Sequence, residues 1–215
     1  MSHNNIKQYK IKLRQKYREL RGRMEKREKA YRDRNILKKF MSIYHYKRND
    51  IIFTYISKEI EVSTIGIIKK AWEHKKKVAV PKCIKDTRQM DFYLIESFDD
   101  LEVGAFGVLE PITSKCKKVT DFSRGICIVP GFSFDLQGFR LGYGKGYYDR
   151  FLPRFRGLVV GLCYESCVDK KLPHGYFDRP VQLLITDKRI RRTSYKKSIG
   201  SRKRKSYKGG IDCNG

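Results

Sequence analysis

The chain has 215 residues, with 49 Lys+Arg against 23 Asp+Glu and a formal net charge of +26. At 40% hydrophobic and 13% aromatic it can bury a core, which excludes wholesale disorder. No stretch approaches the roughly 18 apolar residues of a membrane span, the first residues lack the apolar run of a secretory signal, and no C-x-x-C pair suggests a zinc ribbon or thioredoxin-type site. The length suits one domain with appended ends. Cys127 and Cys163 lie inside apolar runs, as buried free thiols do, and a reducing cytoplasmic setting is expected.

The charge sits at the ends. Residues 1–48 hold 17 basic and 4 acidic residues, net +13, and residues 188–215 hold 11 basic residues and Asp212, net +10; residues 49–187 carry only +3. Over 6–34, Ile6, Tyr9, Leu13, Tyr17, Leu20 and Met24 recur at steps of three and four, which predicts one helix with an apolar stripe. Its Lys/Arg side is either a solvated face or a cationic surface offered to an anion.

Asp50–Tyr55 reads as a buried strand, Thr64–His74 as a helix, Lys77–Pro81 as a strand closed by proline, and Asp91–Ile95 as another strand. Residues 111–124 are polar and read as a surface loop. Gly125–Pro130 is almost wholly apolar, the mark of a central strand covered on both faces. Tyr147–Phe155 reads as a helix, Leu158–Leu162 and Val181–Ile185 as strands, and 188–215 as a disordered basic tail. Strands alternating with helices predict an α/β domain over 1–187 with a mostly parallel sheet flanked by helices, its ligand beyond the strand carboxyl ends. No internal repeat is present.

The most informative stretch runs from Val129 to Leu152. It leaves the central strand, turns at Asp135–Gly138, and enters a loop with glycines at 142, 144 and 146. Such spacing lets backbone N–H groups approach an anion, and a helix starting near Gly146 adds its amino-terminal dipole. Arg140 and Lys145 supply flanking cations. This is not a Walker A loop, because Lys145 is followed by Gly146-Tyr147 rather than Ser or Thr.

Pro130-Gly131, Phe134-Asp135, Gly138 and the run Arg140-Leu141-Gly142-Tyr143-Gly144-Lys145-Gly146-Tyr147-Tyr148-Asp149-Arg150-Phe151-Leu152 resemble the signature of the 5-formyltetrahydrofolate cyclo-ligase (5,10-methenyltetrahydrofolate synthetase) family. The resemblance extends from about residue 7 to 187 and includes Lys10/Arg14, Tyr55 with Glu61-Val62, Gly107–Pro111, and Phe177-Asp178. It implies a fold like the NagB/RpiA/CoA-transferase group, ATP and Mg²⁺ as requirements, and 5-formyltetrahydrofolate, with or without a polyglutamate tail, as the substrate; a monomer is expected.

The resemblance assigns Lys10 and Arg14 to ATP phosphates, with Lys12, Lys16 and Arg18 as close alternatives. Arg140, Leu141, Gly142, Tyr143, Gly144, Lys145, Gly146, Tyr147 and Tyr148 form the nucleotide loop, with Arg140 and Lys145 as the catalytic cations. Asp149 and Asp178 become Mg²⁺ ligands; otherwise they are a first-turn helix acid and an ordinary loop acid. Glu61 binds the pterin, or else stands at a helix start beside Ser63-Thr64. Ile56 lines the pterin pocket or fills core, and Tyr147 and Tyr148 pack on a flat ring or on the core. Cys167 falls where the family often carries Gln. The rival reading, drawn from the basic ends, is a nucleic-acid-binding protein on the same scaffold.

Overall fold

The computed structural model describes residues 3–104 and 107–194. Two helices form where the periodicity predicts one. Helices α1 (His3–Gly22) and α2 (Lys26–Ser42) are separated after Gly22, a poor helix former, and a short α3 (Tyr44–Arg48) follows. Glu25 enters α2 from extended backbone, φ −61° and ψ 146°. The apolar stripe of α1 is also shifted. Leu13 and Tyr17 are buried as expected, but Tyr9 and Leu20 are exposed, and Arg21 takes the inward position one turn after Tyr17. No helix among the described residues is long and apolar enough to cross a membrane.

Strand β1 (Ile51–Phe53), helix α4 (Ile65–Glu73) and strand β2 (Lys77–Cys83) make a parallel βαβ unit. At the end of α4, Lys75 adopts φ 56°, and bonds from Lys75 N–H to Trp72 O and from Lys76 N–H to Ala71 O turn the chain back to the sheet. Pro81 does not close β2, which runs on to Cys83 opposite β3 (Met90–Ile95). β1 pairs only as far as Ala79, so the missing N–H of Pro81 breaks no ladder on that side. A hairpin of β4 (Leu101–Val103) and β5 (Leu109–Pro111) comes next, and the polar segment expected to be all loop contributes a two-residue edge strand, β6 (Lys118–Val119).

Strand β7 (Ile126–Val129) is buried at every position, as its apolar run requires. It leads through β8 (Ser133–Asp135), β9 (Arg140–Leu141) and α5 (Tyr147–Phe151) to β10 (Leu158–Cys163), then β11 (Val168–Asp169), β12 (Leu183–Thr186) and β13 (Ile190–Arg192). The main sheet has the order β13-β12-β10-β7-β1-β2-β3-β6. Its central five strands, β12 to β2, are all parallel, and the outer pairings are antiparallel. Helix α2 packs on α4 and β12, while Phe53, Phe92, Phe122, Phe151 and Phe155 form an aromatic cluster tying β1 and β3 to α5, with centroid spacings such as 4.6 Å for Phe92–Phe151.

From β1 the chain moves to β2 on one side, while from β7 it moves to β10 on the other. The carboxyl ends of β1 and β7, neighbours in register at Ile52–Ile126 and Phe53–Cys127, therefore open a crevice where the order reverses.

The ordered body does not end at residue 187. Residues Ile190–Arg192 pair with Leu183–Ile185, Arg191 Nη2 lies 2.8 Å from Glu165 Oε1, and Thr193 Oγ1 donates to Val181 O. An edge strand owes its existence to its partner's free ladder, which its own polar composition does not reveal. The rest of the expected tail, 195–215, lies outside the described residues. A chain ending at Lys188 should melt below one ending at Ser194 by roughly 4–8 °C, the equivalent of about 2 kcal/mol in lost hydrogen bonds. Equal melting temperatures by differential scanning fluorimetry would show that β13 adds nothing.

Candidate active site

The glycine loop is built on a buried carboxylate. Asp135, at the end of β8, accepts from the N–H groups of Gln137 (3.0 Å), Phe139 (2.9 Å) and Leu172 (2.9 Å), which fixes the turn into β9. Gly138 sits in that turn at φ +95°, with Val181 O only 2.4 Å from where a Cβ would stand. Arg140 then leaves β9 with its side chain 5% exposed. Its Nη1 donates to Arg179 O (2.7 Å) and its Nη2 to Asp149 Oδ1 (2.7 Å), which also accepts Arg179 N–H. Arg140 is thus a stitch between β9, α5 and the loop before β12, not a cation extended from a surface loop.

Helix α1 lies against this loop. Arg14 Nε donates to Gly142 O at 2.8 Å, and its guanidinium packs on Gly144, whose φ of +93° and missing side chain make room for it. Lys10 Nζ is 2.7 Å from Asp178 Oδ2, which also accepts Gly175 N–H. Burial by itself would raise the Asp178 carboxyl, but Lys10, the Gly175 N–H and the charge of Arg140 outweigh it and hold it below the usual carboxylate range. Burial lowers the Arg14 guanidinium, with Asp178 acting the other way. Lys10, Arg14, Arg140, Asp149, Asp178 and the loop Leu141–Tyr148 therefore converge, with Lys145 on the exposed side and Gly146 (φ +77°) leading into α5.

Glu61 completes the other wall. It is 6% exposed; Oε2 accepts Lys58 N–H at 2.7 Å and Oε1 accepts the Tyr143 hydroxyl at 2.6 Å. It is therefore not a helix-start cap for α4. Tyr143 packs on Phe132 at 4.6 Å, and burial, with Glu61 beside it, pushes its phenol far up. Ile56 is buried in the core next to this wall. Tyr147 and Tyr148 diverge: the first points its hydroxyl to Thr87 O (3.4 Å), and the second buries its hydroxyl with no hydrogen-bond partner. An orphaned buried hydroxyl costs about 1–3 kcal/mol.

Two participants escape sequence reasoning. Arg21 is buried, donates through Nη2 to Gly131 O at 2.8 Å, and lies over the rings of Phe132 and Tyr164. Its spacing of four from Tyr17 was the available signal, masked by the apolar Leu20 beside it. Arg179, which fixes both Arg140 and Asp149 through its backbone, carries no side-chain signal at all. Cys167 is fully buried and acts electrostatically on Arg21.

Among the described residues no three His, Cys, Asp or Glu side chains group as a metal cage. Asp149 and Asp178 instead stand as two separate carboxylates, the first paired with Arg140 and the second with Lys10.

Residues 6–187 match the profile of the 5-formyltetrahydrofolate cyclo-ligase family. A probable 5-formyltetrahydrofolate cyclo-ligase of Caenorhabditis elegans is 32% identical over 68% of this chain and 73% of its own length. The 5-formyltetrahydrofolate cyclo-ligase of Haemophilus influenzae is 25% identical over 81% of this chain and 95% of its own. Among solved structures, the 5,10-methenyltetrahydrofolate synthetase of Aquifex aeolicus superimposes with a TM-score of 0.74 at 32% identity, covering 91% of this chain and 98% of that one.

Replacing Arg140 with Ala should destabilise the protein by about 2–3 kcal/mol, somewhat under the usual cost of breaking a buried pair because Asp149 is a quarter exposed. Urea unfolding measures this, and an unchanged midpoint would contradict the stitch. Asp178, with its lowered carboxyl, contributes stability that is present above about pH 4 and lost as pH falls through its folded value. The stability gap between wild type and Asp178→Asn should hold constant from pH 5 to 7 and shrink below about pH 4.

Proposed function

The chain belongs to the 5-formyltetrahydrofolate cyclo-ligase family, and from that we propose that it closes 5-formyltetrahydrofolate to 5,10-methenyltetrahydrofolate in an ATP- and Mg²⁺-dependent reaction releasing ADP and phosphate. The observation that carries this reading is the position of the Arg140–Asp149 loop, between the α1 cations Lys10 and Arg14 on one side and the buried carboxylate Glu61 on the other. A reaction that moves a phosphoryl group onto a folate oxygen needs these two kinds of wall facing one gap.

The residues divide the work. Lys10, Arg14 and Lys145 supply cations for the triphosphate, and the loop glycines supply backbone N–H groups. Phosphoryl transfer demands alignment and neutralisation of charge more than a covalent partner, so this set suffices. Arg140 holds Asp149 in place. Asp149 and Asp178 are the residues that would hold a Mg²⁺, which would supply charge neutralisation to the phosphates. Glu61 accepts the N–H groups of the pterin in place of the Tyr143 hydroxyl, and Ile56 backs that wall. The formyl oxygen takes the phosphoryl group, N10 attacks the formyl carbon, the C–O bond breaks, and phosphate leaves with the N10 proton.

We further take the protein to act as a monomer in the cytoplasm, on folates with or without a polyglutamate tail. The nucleic-acid alternative has less support, because Lys10, Arg14 and Arg21 of the basic first helix are turned onto the site.

Purified protein given ATP, Mg²⁺ and 5-formyltetrahydrofolate should generate methenyl-folate absorbance, and none without ATP. Lys145→Ala should lower kcat/KM for ATP by about 10²-fold or more while leaving circular dichroism unchanged, as expected for a transition-state contact. Glu61→Gln should raise KM for the folate and leave that for ATP alone. A protein that makes no product yet binds RNA tightly at physiological salt would decide for the rival.

A further inference from the structure

Buried polar atoms without a partner are rare, and among the described residues they are Arg21 Nε, Ser133 Oγ and the Tyr148 hydroxyl. Arg21 still anchors itself through its Nη atoms. Tyr148 has no second polar atom to do so. Its ring packs against the core from the first turn of α5, a place that phenylalanine would fill as well, as Phe151 does one turn on. The hydroxyl is therefore a burden on the ligand-free fold that packing does not explain.

The surroundings of this hydroxyl indicate what it is for. In the first turn of α5 three successive side chains fan out: Tyr147 toward Thr87 O, Asp149 toward Arg140 and Arg179, and Tyr148 inward. Asp149, the next residue, is held by Arg140, and the glycine loop that leads into α5 carries Tyr143 onto Glu61. The first turn of α5, with Tyr148 packed on the core, thus joins the cationic wall to the loop that reaches the carboxylate wall.

We propose that the Tyr148 hydroxyl donates a hydrogen bond to the formyl oxygen of the bound folate, the oxygen that must lie between Glu61 and Arg140 for phosphoryl transfer to occur. The inference rests on the function proposed above. The donor engages one lone pair and leaves the other to attack phosphorus. When N10 then attacks the formyl carbon, the C–O bond breaks with its electron pair staying on that same oxygen, now part of the departing phosphate, and the Tyr148 O–H supports the growing charge. The proton of N10 leaves with the phosphate and Tyr148 keeps its own. Tyr143, 43% exposed and seated on Glu61 between Gly142 and Gly144, gives way as the pterin enters.

The test is Tyr148→Phe, compared with wild type for melting temperature, for calorimetric affinity toward 5-formyltetrahydrofolate and 5-methyltetrahydrofolate, and for turnover. The methyl compound has the same ring system without the carbonyl oxygen. We expect an equal or higher melting temperature, unchanged affinity for the methyl compound, about fivefold weaker binding of the formyl compound, and kcat lower by about 10²-fold. Equal weakening toward both ligands would assign the hydroxyl to the pterin and overturn the proposal. So would a lower melting temperature, which marks a structural role, or wild-type values throughout. A wild-type protein that binds neither folate would remove the functional reading as well, whereas an active wild type with an unaffected variant would remove this inference alone.

Discussion

A single buried cation organises the carboxyl-terminal edge of the sheet. Arg21 carries its charge from α1 into the crevice between the β1 and β7 loops, donates to Gly131 O, reaches 3.5 Å from Ile60 O, and rests on the faces of Phe132 and Tyr164. Among the described residues no carboxylate forms an ion pair with it. Carbonyl dipoles and ring quadrupoles offset its charge instead, and these work only when both loops hold their present course. With buried Leu13 and Tyr17 and the hydrogen bond from Tyr17 to Asp169, this anchor seats α1, so that Lys10 and Arg14, three and two turns before Arg21, meet the glycine loop. Ile60 immediately precedes Glu61, so the same guanidinium also helps to fix the carboxylate wall.

Ligand-free, the crevice is not a set of bare charges. Lys10 is held by Asp178, Arg140 by Asp149, Arg14 by a loop carbonyl, and Glu61 by a phenol that supplies the kind of hydrogen bond a pterin N–H would. On the function proposed above, binding would be an exchange of partners, with affinity the difference between two satisfied states. This arrangement keeps charges at the strand ends from collapsing the loop, and it disfavours anions that can replace only one of these partners.

The sheet could be read from the sequence because its central strands are buried on both faces and must be apolar throughout; Ile126–Val129 could hardly be anything else. The loop could be read because its glycines and charges act over a long continuous string. What escaped was whatever a partner defines. β13 has one apolar residue and exists because Leu183–Ile185 offers it a ladder. The break after Gly22 and the inward turn of Arg21 depend on what α1 packs against, and periodicity cannot separate Leu20 from Arg21 on a helix with charge on every side. The engagement of Arg140 with Asp149 and with a backbone carbonyl 39 residues away is likewise a tertiary fact. Sequence lists the charged groups of a site more readily than it says which of them already hold one another.

Both margins of the main sheet end in strands that are short and basic: Lys118–Val119 on one side and Ile190–Arg192 on the other. An open sheet border is a template for another chain, and borders of two or three residues give an incoming strand few bonds. On the β13 side a second molecule aligning border to border would also bring the arginines of two copies together, while Lys118 on the other border is paired with Asp91. Part of the protein's large positive surplus thus lies where it discourages sheets from joining end to end, a form of colloidal protection for a fold whose parallel interior must stay exposed until its crossovers are complete.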